Sequence, residues 1–109
     1  MAGYELSPEA ENDIFEIRSA IAGDSVIAAE RVEDELLRTF ASLAGFPGQG
    51  HWRRDLSGKR RFGAVRDYVI AYRPGPAPIL IVGVLHGRRN PDTLARMLTA
   101  RQKKRSEDS

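Results

Sequence analysis

The residues best equipped for chemistry stand at the end of the most hydrophobic run in the chain, where Ile79 to Leu85 leads into His86-Gly87-Arg88-Arg89-Asn90-Pro91. His86 can carry a proton near neutral pH, and Arg88 and Arg89 can hold a phosphate or a carboxylate. A second cationic pair, Arg60-Arg61, opens an upstream run, preceded by His51-Trp52-Arg53-Arg54. Trp52 beside two arginines could stack on a base or a partner side chain, or it could fold back and close one end of the core. Metal-free RNA cleavage would need a group to take the 2′-hydroxyl proton, one to protonate the leaving oxygen, and cations on the phosphate. Cations are plentiful here and acid–base groups are scarce. No glutamate lies between Glu35 and Glu107, and the nearby carboxylates are Asp55, Asp67 and Asp92. Asp67 falls in a turn and Asp92 in a first helical turn, so both have structural explanations. His86 is the one credible proton carrier, with His51 a distant second. His86 also has an ordinary explanation, since a histidine before a strand-end glycine often hydrogen-bonds the backbone and sets a turn. Arg88 and Arg89 could be solvated turn residues. Their place between a greasy strand and a capped helix favours contact with a partner.

The elements that must position these groups follow from spacing. Tyr4-Glu5-Leu6 reads as a short extended segment. Ser7 caps a helix with Pro8 in its first position and Glu9 and Glu11 at its positive end. Ala10, Ile14, Ile17 and Ile21 form its apolar stripe. After Gly23, Asp24 or Ser25 caps a second helix with the stripe Ala29, Val32, Leu36, Phe40 and Leu43, stopped by Gly45 and Pro47. The short link predicts an antiparallel helical hairpin. Gly48 to Gly58 reads as a loop. Arg60 to Val65 and Tyr68 to Arg73 then form a hairpin across Arg66-Asp67. The third strand, Ile79 to Leu85, is apolar on both faces, with Ile79, Ile81 and Leu85 on one and Leu80, Val82 and Val84 on the other. Such a strand needs cover on both sides. The helical hairpin covers one face; a partner, a second copy or the C-terminal helix must at least partly bury the other. That last helix is capped by Asn90, starts at Pro91 and carries Leu94, Met97 and Leu98.

A length of 109 residues with 41% hydrophobic and 29% charged composition points to one globular domain. Residues 1–100 are expected to form it, with 101–109 a basic, then acidic, disordered tail. With no cysteine there is no disulfide or thiolate site, and no metal or other cofactor is expected. No apolar run approaches the ~20 residues of a membrane span, and the acidic N-terminal stretch is unlike a signal peptide, so a cytoplasmic location is expected. Residues 1–52 carry 3 Lys/Arg against 10 Asp/Glu, net −7, and residues 53–109 carry 14 against 5, net +9. This asymmetry suits either a basic surface for acidic partners or attraction between the two halves within the fold.

The order strand, two helices, three strands, short helix gives an α+β class: a helical hairpin on one face of a mostly antiparallel sheet. With Leu6-Ser7-Pro8-Glu9-Ala10, Leu43 to Pro47, Arg60-Arg61-Phe62, Tyr68 to Arg73 and Val84 to Arg89 in that order, the chain resembles the RelE/ParE superfamily of toxins from type II toxin–antitoxin systems over residues 4 to 98. The resemblance implies a growth-inhibiting toxin with an antitoxin partner. In one branch that toxin is a ribosome-dependent mRNA endonuclease; in the other it inhibits DNA gyrase and leaves it stalled on cleaved DNA. RNA-cleaving relatives often begin the middle strand with arginine, whereas this chain has Tyr68, as ParE-like members tend to. A gyrase inhibitor acting without catalysis of its own is therefore the first expectation. It would be neutralised by an acidic antitoxin segment wrapping the sheet and hairpin, within a higher-order assembly in some cases. Trp52, Arg60, Arg61, Tyr68, Leu80, Val82, Arg88 and Arg89 are the expected partner-binding residues. The alternatives are a ribonuclease using His86, Arg61 and Arg88, with direct nucleic-acid contact, and an inactive relative that only binds a partner.

Overall fold

The computed structural model describes residues 3–108, with side chains described through residue 104. The chain runs β1 (Tyr4–Leu6), α1 (Pro8–Ala22), α2 (Val26–Gly45), a 3-10 turn (Pro47–Gln49), β2 (His51–Arg53), β3 (Ser57–Val65), β4 (Tyr68–Arg73), β5 (Ile79–His86) and α3 (Pro91–Asp108). The strands form one sheet in the order β1-β5-β4-β3-β2. Only β1 with β5 is parallel; the other pairs are antiparallel.

The local chemistry explains the elements. Buried Ser7 accepts a hydrogen bond from the Ala10 amide at 3.0 Å, and Ser25 accepts one from Ala28 at 3.1 Å, so each helix of the hairpin begins on a serine cap. One face of the sheet packs on this hairpin, where Ile14, Val32, Leu36, Phe40 and Leu43 meet Ile70, Tyr72, Ile79, Ile81 and Val84. The opposite face carries Leu56, Phe62, Ala71, Val82 and Leu85, and α3 covers it with Leu94 and Leu98. Each such leucine contributes about 1.5–3 kcal/mol when fully buried. Of the three covers considered for the second face, the C-terminal helix is the one this chain supplies.

Three details differ from the sequence-based expectations. The register of β5 on β4 shifts between Ala71 and Tyr72, so that Ala71 pairs with Gly83 and Tyr72 with Ile81. This bulge adds a residue to β5 and reverses the alternation beyond it. Val84 therefore joins Ile79 and Ile81 under the hairpin, while Leu85 joins Val82 under α3. A short strand, β2, interrupts the expected loop at 48–58, too brief for a period of two to show. Finally, α3 continues to Asp108 instead of fraying after Leu98. No proline or glycine interrupts residues 92–108, and Arg101 continues the Leu94, Leu98 stripe at helical spacing.

Arg101 is also the bolt between the layers. Its guanidinium meets Asp13 of α1 through both nitrogens, at 2.8 and 3.0 Å, and donates to the Val82 carbonyl at 3.0 Å. Asp13 Oδ2 accepts in turn from the Val84 amide at 3.0 Å. Since β1 ends at Leu6, opposite Ile81, this pair satisfies the part of the β5 edge that β1 leaves uncovered. The guanidinium passes over Gly83, where an added Cβ would lie 2.8 Å from Nη1.

Candidate functional site

The two ends of the sheet divide the candidate residues. At one end, Tyr68 pairs with His86, and their rings meet edge to face with centroids 5.5 Å apart. His86 Nδ1 accepts from the Arg88 amide at 3.3 Å. In the neutral ring this bond leaves the proton on Nε2 while the turn holds. Gly87 donates to the Asp67 carbonyl at 2.7 Å, and the Arg88 side chain reaches the Asp67 carboxylate at 3.6 Å. Arg89 lies against Met97 Sδ at 3.4 Å. Asn90 Oδ1 accepts from Asp92 at 2.8 Å, the expected cap.

His86 and Arg89 line a cleft of about 440 Å³ between α1, β5 and α3, together with Asp13, Glu16, Tyr68 and Arg101. Glu16 is the carboxylate that sequence reasoning missed. It lies 70 residues before His86 and reaches the cleft only because α1 packs beside β5. Its Oε1 accepts from Asn12 at 3.2 Å, and Asp13 is committed to Arg101 and the backbone.

At the other end, β2 is an edge strand in which Trp52 stands opposite Arg61. The Arg61 guanidinium lies 4.7 Å from the indole centroid and donates to the Gly50 carbonyl at 3.1 Å and the Gly48 carbonyl at 2.8 Å. Those carbonyls are held from beneath. Buried Tyr72 donates its hydroxyl to the Pro47 carbonyl at 2.6 Å and accepts from the Gly50 amide at 3.1 Å. The ring comes so close to Gly50 that any side chain there would collide with it. Trp52 itself remains 48% exposed, so it does not close the core. Arg54 and Lys59 are exposed and Arg60 is half-buried on the same edge. Arg53 pairs with Asp55 at 2.9 Å, and this hydrogen bond holds the Asp55 carboxyl below its ordinary pKa.

The trio His86, Arg61 and Arg88 is not brought together. Arg61 pairs with Tyr72 and His86 with Tyr68. They lie on opposite sides of β4, about 13 Å apart along it and two spacings of ~4.8 Å across. Arg88 turns to Asp67 and Arg61 to the Gly48–Gly50 backbone. Among the expected partner-binding apolar residues, Leu80 is half-buried and Val82 only 3% exposed beneath α3. Val82 is thus inaccessible unless α3 lifts, because Leu94 and Leu98 occupy its face. Among the described residues no group of His, Asp and Glu is arranged to hold a metal ion, and no helix is long and apolar enough to cross a membrane.

The model of the ParE toxin of the type II toxin–antitoxin system, parDE, matches residues 4–91, from β1 to the start of α3. The chain belongs to the ParE toxin family. It is a toxin of a type II toxin–antitoxin system, within the RelE/ParE superfamily, and its family implies an antitoxin partner. A search of curated proteins returns no match. For this toxin the match runs from β1, which pairs with β5, through the whole sheet to the first residue of α3.

Proposed function

We propose that this toxin inhibits DNA gyrase by protein–protein contact in the cytoplasm, stalling the enzyme on cleaved DNA, and that a cognate antitoxin neutralises it. The observation that carries the proposal is the dispersal of the ribonuclease residues. Arg61 and His86 sit at opposite ends of the sheet, and the Nδ1 of His86 is occupied by a turn amide. A surface that works by contact needs no such convergence. Tyr68 at the start of β4 supports the same branch. The exposed set Trp52, Arg88 and Arg89, with half-buried Arg60, Arg61, Tyr68 and Leu80, offers contacts to an acidic wrapping segment or to the target.

One observation favours a second reading. Glu16 and His86 share a cleft with Arg89, which would provide a carboxylate, an imidazole and a cation for ribonuclease chemistry. The direct test incubates the purified toxin with gyrase, ATP and relaxed plasmid. The expected result is loss of supercoiling and linear DNA after detergent and protease, both suppressed by the antitoxin. Unaltered gyrase activity would reject the proposal and shift attention to the Glu16–His86 cleft.

A further inference from the structure

We infer that the Trp52 edge of the sheet binds single-stranded DNA, stacking a base on the free side of the indole while the neighbouring cations hold the backbone. The proposal rests on the gyrase reading only for the choice of DNA over RNA. Three observations carry it. First, Arg61 lies over the Trp52 ring and is itself tied to two carbonyls, so an anchored guanidinium braces the indole of a residue that stays 48% exposed. A preorganised aromatic loses little freedom on binding. A base arriving on the open side would extend an arginine–indole–base stack, which needs an unpaired base rather than a duplex.

Second, the hydrogen bonds of Arg61 go to carbonyls and leave its charge unneutralised. Residues 50–61 contain Arg53, Arg54, Lys59, Arg60 and Arg61 against the single acid Asp55, a net charge of +4. The acidic residues of the first half lie mainly on the helical hairpin. The ion pairs Arg66–Glu35, Arg101–Asp13 and Lys104–Glu9 join the two halves elsewhere, while at this edge Arg53 is answered by Asp55 of the edge itself. Third, a second aromatic, Phe46, is 75% exposed and leads directly into the 3-10 turn whose carbonyls anchor Arg61. An acidic peptide would answer the charge but would make no use of an exposed stacking ring.

Trp52 is the sole tryptophan of the chain, so its emission reports on this edge alone. The full-length toxin, without gyrase, is titrated with a short oligothymidylate at low salt. Saturable quenching is expected, with affinity falling as salt rises. Trp52→Ala should raise the Kd of a labelled oligomer about tenfold, Trp52→Phe much less, and Lys59→Gln should reduce the salt slope by about one. Absence of quenching, equal quenching by polyglutamate of the same charge, or tighter binding of oligouridylate would each overturn the proposal. Gyrase poisoning without oligomer binding would sink this inference alone. Oligomer binding without gyrase poisoning would sink the gyrase reading and leave the DNA-binding edge standing.

Discussion

The two ends of the sheet use the same residue types in opposite ways. Around the β3–β4 turn and the end of β5, charges and rings are spent on the protein itself: Glu35 holds Arg66, Asp67 meets Arg88, Tyr68 meets His86, and Asp13 locks Arg101. At the β2 edge Arg61 bonds inward to backbone carbonyls, Arg53 meets the adjacent Asp55, and Trp52, Arg54 and Lys59 stay exposed. A histidine beside arginines is therefore not by itself a site, and an indole beside arginines is not by itself core. What decides is where each group's hydrogen bonds go.

The comparison can be broken most forcefully at the self-bound end. Asp13→Ala leaves the Arg101 guanidinium without its carboxylate and the Val84 amide without its acceptor, in a pair whose side chains are 15% and 10% exposed. Removing one partner of a buried pair costs on the order of 3–5 kcal/mol. The lower end is expected here because Arg101 is on a terminal helix and can turn to water. Urea denaturation should show this loss, and proteolysis should begin within α3. At the displayed end, Tyr72→Phe tests the support beneath Trp52. It removes a hydroxyl bonded to both Pro47 and Gly50 in a fully buried position, and should cost about 1–3 kcal/mol. The Trp52 emission should shift as well, since the carbonyls that hold Arg61 lose their prop.

The smallest effect concerns Glu35 and Arg66. The hydrogen bond from Arg66 lowers the Glu35 pKa, and the carboxylate raises that of Arg66. A depressed folded-state carboxyl contributes stability that is present above its ordinary pKa and is lost as pH falls through the folded value. Thermal unfolding of Glu35→Gln should therefore match wild type at acid pH and fall slightly below it at neutral pH, the gap narrowing with salt. Arg66 has a left-handed backbone, φ 52°, uncommon for a non-glycine residue. A larger gap would mean that Glu35 holds the turn as well as the charge.

Much of the fold was legible because it rests on local signals. Ser7 and Ser25 caps, the Ala29 to Leu43 stripe and the Tyr68 to Arg73 alternation all appear where spacing placed them. The misses depend on distant partners. The bulge in β5 falls beside Gly83, a strand glycine that marks such irregularities without giving their direction, and it moved Val84 to the other face. Arg101 looked like the start of a basic tail, because a cation extending an apolar stripe makes sense only once Asp13 is seen beside it. The candidate site was legible in its residue types but not in its grouping: Trp52 with Arg61 follows from the β2–β3 register, and Glu16 with His86 from helix packing. Neither can be read from neighbours in sequence.

The central claim is that this ParE-family toxin acts by displayed contacts rather than by proton transfer at His86. The most direct test is expression of the His86→Ala variant beside wild type, with growth arrest, the DNA-damage response and mRNA integrity followed together. The claim predicts arrest and a DNA-damage response close to wild type, with mRNA uncut. Loss of arrest in a variant that still folds and still binds antitoxin, with wild type cutting mRNA, would contradict it.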